Sequence, residues 1–426
     1  MLLLVLTVVF FVLLTMDVPV AFSIGIASIA YFFLADVDSV VAAQQVLAGP
    51  DSWVLLALPT FVLAGMLMNS SGISDRIISF TNAVVGQFRG GLAMSNVLSN
   101  MLMGGISGSA TADAAALGSV IIPAMVKQGY RPAFAAALTS SAGSLGILIP
   151  PSIPMIIYGS VAGVSVGKMF LAGIVPGILM GLFQMAVIYW LALREGWKPS
   201  EPFSLRNLAA QTWVAGLALV MPFIIIGGLL FGVFTPTEAG AVACVYGFAV
   251  AFWVYRTLSL RATYKALVES AVLTSVVMTT IAFSLLLGWI LSQQQVPERI
   301  TQSFIGLTSN PTLALILITI LMIVLGGPLD ATPLLVVVVP ILIPVVKALG
   351  IDLIHFGIII VFTIVISQQS PPVGNPLFVV SAISGEDIFA ISRENIPFIA
   401  ATAVLMYLIL FVPEIVLFIP QLAPGG

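Results

Sequence analysis

Apolar stretches of about 20 residues recur along nearly the whole chain, and an α-helix of that length is what crosses the hydrocarbon core of a bilayer. No polar interval is long enough to be a soluble domain. The longest runs from about Arg194 to Arg206, contains Glu195, Lys198, Pro199, Glu201 and Pro202, and reads as a linker near the midpoint. Charge leads to the same conclusion. Of 426 residues, 60% are hydrophobic and only 7% charged, against about 25% charged in an ordinary soluble domain. A soluble fold of this composition could not cover its own surface. The sequence therefore predicts an all-α integral membrane protein.

Several function classes fall away at once. A net charge of −3 offers no basic stripe for phosphates, which argues against nucleic acid. One cysteine, Cys244, excludes an internal disulfide, and one histidine, His355, is too little for a structural zinc site or a histidine-based catalytic centre. The leading MLLLVLTVVFFVLLTM has no basic residue before it and no A-x-A site after it, so it reads as a first membrane helix rather than a signal peptide.

Breaks and charges set the boundaries, because buried membrane helices are apolar on every side. Spans are expected near 2–16, 18–35, 51–69, 131–165, 168–193, 211–232, 236–256, 265–292, 354–384 and 396–418. The intervals 90–127 and 311–348 behave differently. Each holds two short apolar runs around a small, polar centre, GGISGSATAD in one and GGPLDATP in the other. These read as re-entrant hairpins, whose irregular backbone is tolerated at membrane depth only where protein or water covers it.

An internal repeat supports that reading. Gly104, Gly105, Pro123, Lys127, Gly129, Pro150, Pro151 and Pro176 recur in order as Gly326, Gly327, Pro344, Lys347, Gly350, Pro371, Pro372 and Pro397, at an offset of 220 to 222. Asp113 and Asp330 fall in corresponding tips but are 217 apart, so the tips differ in length. Two repeats are expected, 1–205 with a broken helix near 131–165, and 206–426 with one near 354–384. Arg194, Lys198, Arg206, Arg256, Arg261 and Lys265 flank one helix pair and mark the cytoplasmic side. Threading outward puts eleven basic residues inside and three outside (Lys168, Arg299 and Lys347), and gives the halves opposite topology.

Inverted repeats with broken helices are the build of secondary transporters, with sites at mid-membrane where helices unwind. A hairpin tip explains why. The first half-helix ends in unpaired carbonyls that attract a cation, and the second begins with free N–H groups that attract an anion. Ser107, Ser109 and Thr111 add hard hydroxyl oxygens suited to sodium, with Asp113 in the first turn behind them. Ser109, Thr111 and Asp113 would serve equally as helix caps. In the second tip, Gly326 and Gly327 offer carbonyls, Asp330 a charge and Thr332 a hydroxyl. An acid at that depth costs about 2.5 to 3.5 kcal/mol, which favours a functional role over a cap in a wet vestibule. Proline pairs break SSAGSLGILIPPSIP (140–154) and SQQSPPVGNP (367–376), removing N–H donors. Gly143, Gly146, Ser370 and Gly374 beside them would complete two ion sites, and Asp113, Ser152 and Asn375 are assigned to substrate.

Other features have plainer readings. Gly173, Gly177 and Gly181 form a G-x-x-x-G ladder for helix packing. His355 sits beside Asp352 at an expected helix end, Trp253 and Tyr255 suit an interface anchor, and Asn69-Ser70-Ser71 fits a common sequon.

Four motifs in order, GGISGSATADAAALGSVIIPAM, GILIPPSIPMIIYG, GGPLDATP and QQSPPVGNPLF, make the chain resemble the large membrane subunit of the TRAP (tripartite ATP-independent periplasmic) transporters over essentially its whole length. The resemblance implies a sodium-driven importer of organic acids in a bacterial inner membrane, working by an elevator motion, and not an enzyme. It implies two partners: a small membrane subunit, expected as a separate chain, and a periplasmic substrate-binding protein. It also implies transport roles for the hairpin residues Ser107, Ser109, Asp113 and Asp330, and sodium as coupling ion with no other cofactor. C4-dicarboxylates, sialic acid and other sugar acids all fit, with overall likeness leaning to sialic acid.

Two other classes would also use such features. An intramembrane aspartyl protease would pair Asp113 with Asp330, but the G-x-G-D motif is missing: Asp330 follows Gly-Pro-Leu and Asp113 follows Ala-Thr-Ala. A half-helix channel of the water-channel type would need about six helices, and this chain has nearly twice that number of expected spans.

Overall fold

The computed structural model describes residues 2–371 and 374–422, so Pro372 of the second proline pair lies outside the described residues. Within them the chain is helical throughout, and seven helices are long and apolar enough to cross a membrane. The chain is a multi-pass membrane protein. It opens with α1 (Leu2–Thr15), α2 (Val20–Leu34) and α3 (Ser39–Ala48), the last started by Asp38, whose carboxylate accepts from Val40 N at 2.9 Å.

α4 (Ala57–Asn69) and α5 (Ile73–Val85) precede the first hairpin, built of α6 (Gly91–Ser107) and α7 (Ala110–Lys127). α6 ends because Gly108 takes the left-handed conformation at φ +63°, and Ser109 caps α7 by accepting from Ala112 N at 3.4 Å. The first break comes next, with α8 (Pro132–Gly143) tightening into a 3₁₀ turn over Ser144–Ile147 before α9 (Ile153–Ala162) starts anew at Ser152. α10 (Val166–Glu195) is then continuous.

α11 (Leu205–Leu230) and α12 (Pro236–Ala249), the latter extended by a π-helical turn to Val254, lead to the longest rod, α13 (Leu260–Gln293). Thr235 and Glu238 form a capping box at the start of α12. After α14 (Val296–Leu307), the second hairpin runs through α15 (Pro311–Gly326) to α16 (Ala331–Pro333), a π-helical stretch over Leu334–Val338 and α17 (Val339–Ala348), which form one rod. The second break separates α18 (Leu353–Gln368) from α19 (Asn375–Ser384). α20 (Ile388–Phe411) and α21 (Glu414–Leu422) close the described chain.

Helix pairs occupy 91–127 and 311–348, and helices are interrupted between Gly143 and Ile153 and between Gln368 and Asn375, while other boundaries differ from the expected spans. α3, α5 and α14 were not among the expected spans. α5 buries one stripe and carries polar residues on the other, and α14 mixes apolar with polar and charged residues and buries only Pro297, so neither offers a uniformly apolar run. The expected span 396–418 is two helices, interrupted at Val412 and Pro413, whose ring supplies no N–H to continue α20.

Packing pairs the two halves reciprocally. α7 packs on α19 while the second hairpin's rod packs on α9, and α8 packs on α20 while α18 packs on α10. α12 and α13 each pack on α4, with α2 against α13 and α11 against α5. Arg131 bridges Glu394 at 2.5 Å and approaches Glu195 at 4.0 Å, next to Tyr130, which stacks on Phe134 while Trp197 packs tilted against both. The Gly173, Gly177 and Gly181 ladder is a packing face: side chains there would run into the Leu148 carbonyl, Ile149 and Met101. Buried His355 has Nε2 3.0 Å from the Ile409 carbonyl, and Asp352 caps its helix.

Candidate functional site

A cavity of about 420 Å³ lies between the two hairpin tips. Its polar lining comes from Ser109 and Thr111 of the first tip, Asp330 and Thr332 of the second, Gln368 at the second break and Asn375 after it. Met66 of α4 with Leu273 and Val277 of α13 supply an apolar wall. Four helices begin at this cavity. Ala110 opens α7, Ala331 opens the second hairpin's rod and Asn375 opens α19, each with first-turn N–H groups that no helical carbonyl satisfies; Ile153 opens α9, whose first N–H groups are already taken by the Gly108 carbonyl and by Ser152. Four N-termini converging on one space give it a positive partial potential. Among the described residues, Asp330 is the only ionisable side chain lining it.

Behind the first tip, one layer deeper, sits a second cluster. Ser107 Oγ donates to Asp113 Oδ1 at 2.5 Å, and Ser109 N donates to the same hydroxyl at 3.3 Å. Asp113 is fully buried, and its Oδ2 has no hydrogen-bond partner among the described residues. Gly146 of the first break faces that oxygen; an added Cβ would stand 2.6 Å from it. The same glycine touches Gly104, where a Cβ would lie 2.6 Å from Gly146 Cα. Gly108 seals the tip onto the break. It has a positive φ, a Cβ there would sit 2.5 Å from the Pro151 carbonyl oxygen, and its own carbonyl accepts from Ile153 N at 3.4 Å. Gly143 packs against the Ala110 carbonyl and Ala114.

The second tip has its own contacts with the second break. Gly326 packs on Ser367, whose Oγ would lie 2.4 Å from an added Cβ, and Ser367 Oγ itself donates to the Thr363 carbonyl at 2.8 Å. Gln368 Nε2 donates to Asp330 Oδ1 at 3.4 Å. Ser370 Oγ donates to the Ile366 carbonyl at 3.1 Å, Gly327 ends α15, and Gly374 caps α19 with no room for a side chain beside the Gln368 carbonyl.

The residues singled out in the sequence thus divide into three places. Ser109, Thr111, Asp330, Thr332 and Asn375 line the cavity. Ser107, Asp113, Gly143 and Gly146 form the buried layer behind tip one, while Gly326, Gly327, Ser370 and Gly374 surround tip two. Ser152, assigned to substrate with Asp113 and Asn375, is fully buried, donates to the Ile147 carbonyl and accepts from Met155 N. Neither Ser152 nor Asp113 lines the cavity. Sequence reasoning missed Gln368. The signal was a glutamine pair beside a proline pair inside an apolar helix, a polar position that costs energy unless it is used.

Residues 7–415 match the family model for the tripartite ATP-independent periplasmic transporter, DctM component. The sialic acid TRAP transporter large permease protein SiaM of Vibrio cholerae is 37% identical over 97% of this chain and 97% of its own. The C4-dicarboxylate TRAP transporter large permease protein DctM of Pseudomonas aeruginosa is 39% identical over 94% of each. The isethionate TRAP transporter permease protein DctMQ of Oleidesulfovibrio alaskensis is 37% identical, and the chain spans 65% of its length. Among solved structures, the Alcanivorax borkumensis YdaH transporter shares the fold at a TM-score of 0.65 and 16% identity, over 90% of this chain and 89% of that one.

Proposed function

The chain belongs to the DctM component family of tripartite ATP-independent periplasmic transporters, and on that premise we propose that it carries organic acids across a bacterial inner membrane, driven by sodium. It is a transporter component and not an enzyme. The single observation that carries the substrate class is the cavity into which four helix N-termini point. A carboxylate there meets free N–H groups rather than a fixed cation, so it can be released again. C4-dicarboxylates and sialic acid are the candidates, with sialic acid first.

The coupling ion has a physical reason in the same cavity. Asp330 is a negative charge beside a space suited to an anion, and the two repel unless a cation intervenes. Sodium held by oxygens of tip two would relieve that repulsion. Ser107, Asp113 and the carbonyls that end α6 offer hard oxygen donors for a second ion at tip one. Each ion then raises affinity for the acid, and by linkage the acid raises affinity for each ion.

Inverted repeats and an elevator motion are part of the proposal. The reciprocal packing of α7 on α19 and of the second hairpin on α9 supports a two-fold relation. So does a pair of matching contacts: Gly104 on Gly146 and Gly326 on Ser367 stand at offsets of 222 and 221. The hairpins and breaks then form the moving body, while α4 and α13, which supply only apolar wall, belong to the fixed one. Neither the protease nor the channel alternative finds support in the family match.

The test is uptake in proteoliposomes holding this chain with the small membrane subunit, a substrate-loaded periplasmic protein outside, and a panel of organic acids. Accumulation should require an inward sodium gradient and both partners. Equal uptake with choline in place of sodium, or full activity of this chain alone, would overturn the proposal.

A further inference from the structure

Four uncharged side chains that the transport reading leaves unused meet between the two breaks. Ser141 on α8, Gln184 on α10, Gln369 just past α18 and Asn395 on α20 are all fully buried. Gln184 Nε2 donates to Ser141 Oγ at 3.0 Å and to the Ser141 carbonyl at 3.2 Å. Ser141 Oγ donates in turn to Gln369 Oε1 at 3.2 Å, a contact spanning 228 residues of sequence. Asn395 Nδ2 donates to the Gln369 carbonyl at 3.1 Å. Side chain and backbone of Gln369 are therefore both gripped, one by the first half and one by the second.

Its neighbour faces the other way. Gln368 lines the cavity and donates to Asp330 at 3.4 Å. Two adjacent residues thus join one stretch of backbone to the second tip on one side and to the first break on the other. Ser141 lies five residues before Gly146, the glycine against Asp113. The path from Asp330 to Asp113 runs through the Gln368–Gln369 backbone, the hydrogen bond from Ser141, the helical turns from Ser141 to Gly146 and the packing of Gly146 on Asp113.

Packing alone does not account for this cluster. Gln184 Oε1, Gln369 Nε2 and Asn395 Oδ1 have no hydrogen-bond partner among the described residues, so each bears a desolvation cost that a leucine or methionine of similar size would avoid. Polar groups kept in a core at such a cost fix one arrangement against alternatives.

We propose that Gln369 is a positioning residue that holds the two breaks in register, so that the state of the second tip is transmitted to the first. This rests on the transport reading for its purpose, but its geometry can be tested without transport. Gln369→Met keeps the length and removes the side-chain hydrogen bond from Ser141, while the backbone carbonyl still accepts from Asn395; Ser141→Ala removes the partner oxygen from the opposite half. Hydrogen exchange on the purified full-length chain in nanodiscs reads each break separately.

Gln369→Met should speed exchange across residues 140–152, where nothing was changed, by about tenfold, the factor for one hydrogen bond of about 1.4 kcal/mol. Ser141→Ala should do the same across 366–371, and the double variant should exceed neither by much. If Gln369→Met fails to fold, Ser141→Ala, which deletes one oxygen, still reads the coupling from the other side. Exchange that rises only in the substituted segment overturns the proposal. A sodium arm separates the two ideas. Sodium that slows exchange at neither tip of the unsubstituted protein counts against the ion reading, while the cross-break effect stands or falls on its own.

Discussion

Ser107 and Asp113 close the first hairpin tip on itself: the serine hydroxyl donates to Asp113 Oδ1 at 2.5 Å across the turn formed by Gly108 and Ser109. The contact leaves Asp113 Oδ2 facing Gly146 of the first break, so one carboxylate touches both elements of the first half. A buried acid that is only half-paired is costly, and a cation at that free oxygen would relieve the cost.

Loss of the Ser107 hydroxyl should therefore weaken sodium binding. Hydrogen bonds to charged groups contribute about 1.5 to 3 kcal/mol, so Ser107→Ala should raise the sodium concentration for half-maximal uptake by roughly tenfold to a hundredfold. Asp113→Asn should do at least as much. Uptake titrated against sodium at matched expression decides it, and an unchanged midpoint in both variants removes tip one from the ion sites.

Space makes the second prediction. An alanine at Gly146 would place Cβ 2.6 Å from Asp113 Oδ2, while at Gly227 of α11 an added Cβ meets nothing within 4 Å. Gly146→Ala should cost about 1 to 3 kcal/mol of stability by overpacking and abolish sodium stimulation. Gly227→Ala should be neutral or stabilise by up to about 1 kcal/mol through helix propensity. Thermal unfolding with and without sodium reads both, and a Gly146→Ala protein that sodium still stabilises normally contradicts the assignment.

The tips and breaks were legible because glycine, proline and acid at membrane depth are expensive and therefore informative. GGISGSATAD and GGPLDATP mark helix ends, and each proline pair marks missing donors. What stayed hidden was pairing across distance. Nothing in the sequence says that Ser141 meets Gln369 or that Gly146 faces Asp113, because those contacts depend on how the 3₁₀ turn of the first break packs against α7 and α18. Gln184 and Asn395 escaped notice since single uncharged polar residues in apolar helices carry no spacing pattern. α5 and α14 escaped because their charges, Asp75, Arg76, Glu298 and Arg299, broke the apolar runs by which spans were sought.

Asp330 should matter more than Ser107, because it brings a full charge to the cavity. Asp330→Asn keeps the shape and the approach of Gln368 but removes the charge that needs a cation. The sodium midpoint should rise beyond that of Ser107→Ala, and the acid's affinity should lose its dependence on sodium. Isothermal titration of the acid at low and high sodium measures this directly. A variant whose acid affinity still rises with sodium as in the unsubstituted protein would place the coupling ion away from Asp330.

Motion gives the last prediction, and it starts from the cavity's two kinds of wall. One side is built from hairpin tips and helix starts, with nearly all the polar groups; the other is Met66, Leu273 and Val277. An acid anion cannot slide over that apolar side unaided, so the polar side must move with it as one body. Ala115 on α7 lines the cavity and is exposed, which suits a cysteine reporter once Cys244, whose thiol donates to the Thr60 carbonyl, is changed to alanine. Ala209 on α11, exposed beside Arg76, serves as the reference. A membrane-impermeant thiol reagent should reach Ala115→Cys from the periplasmic side in one condition of sodium and substrate and from the cytoplasmic side in another. Ala209→Cys should react from the cytoplasmic side in both. Each state must be accessible within a few kcal/mol for cycling, so both labelling patterns should appear in one preparation as conditions change. One-sided access at Ala115→Cys under every condition would mean that the first hairpin stays fixed, and the elevator reading would then be wrong.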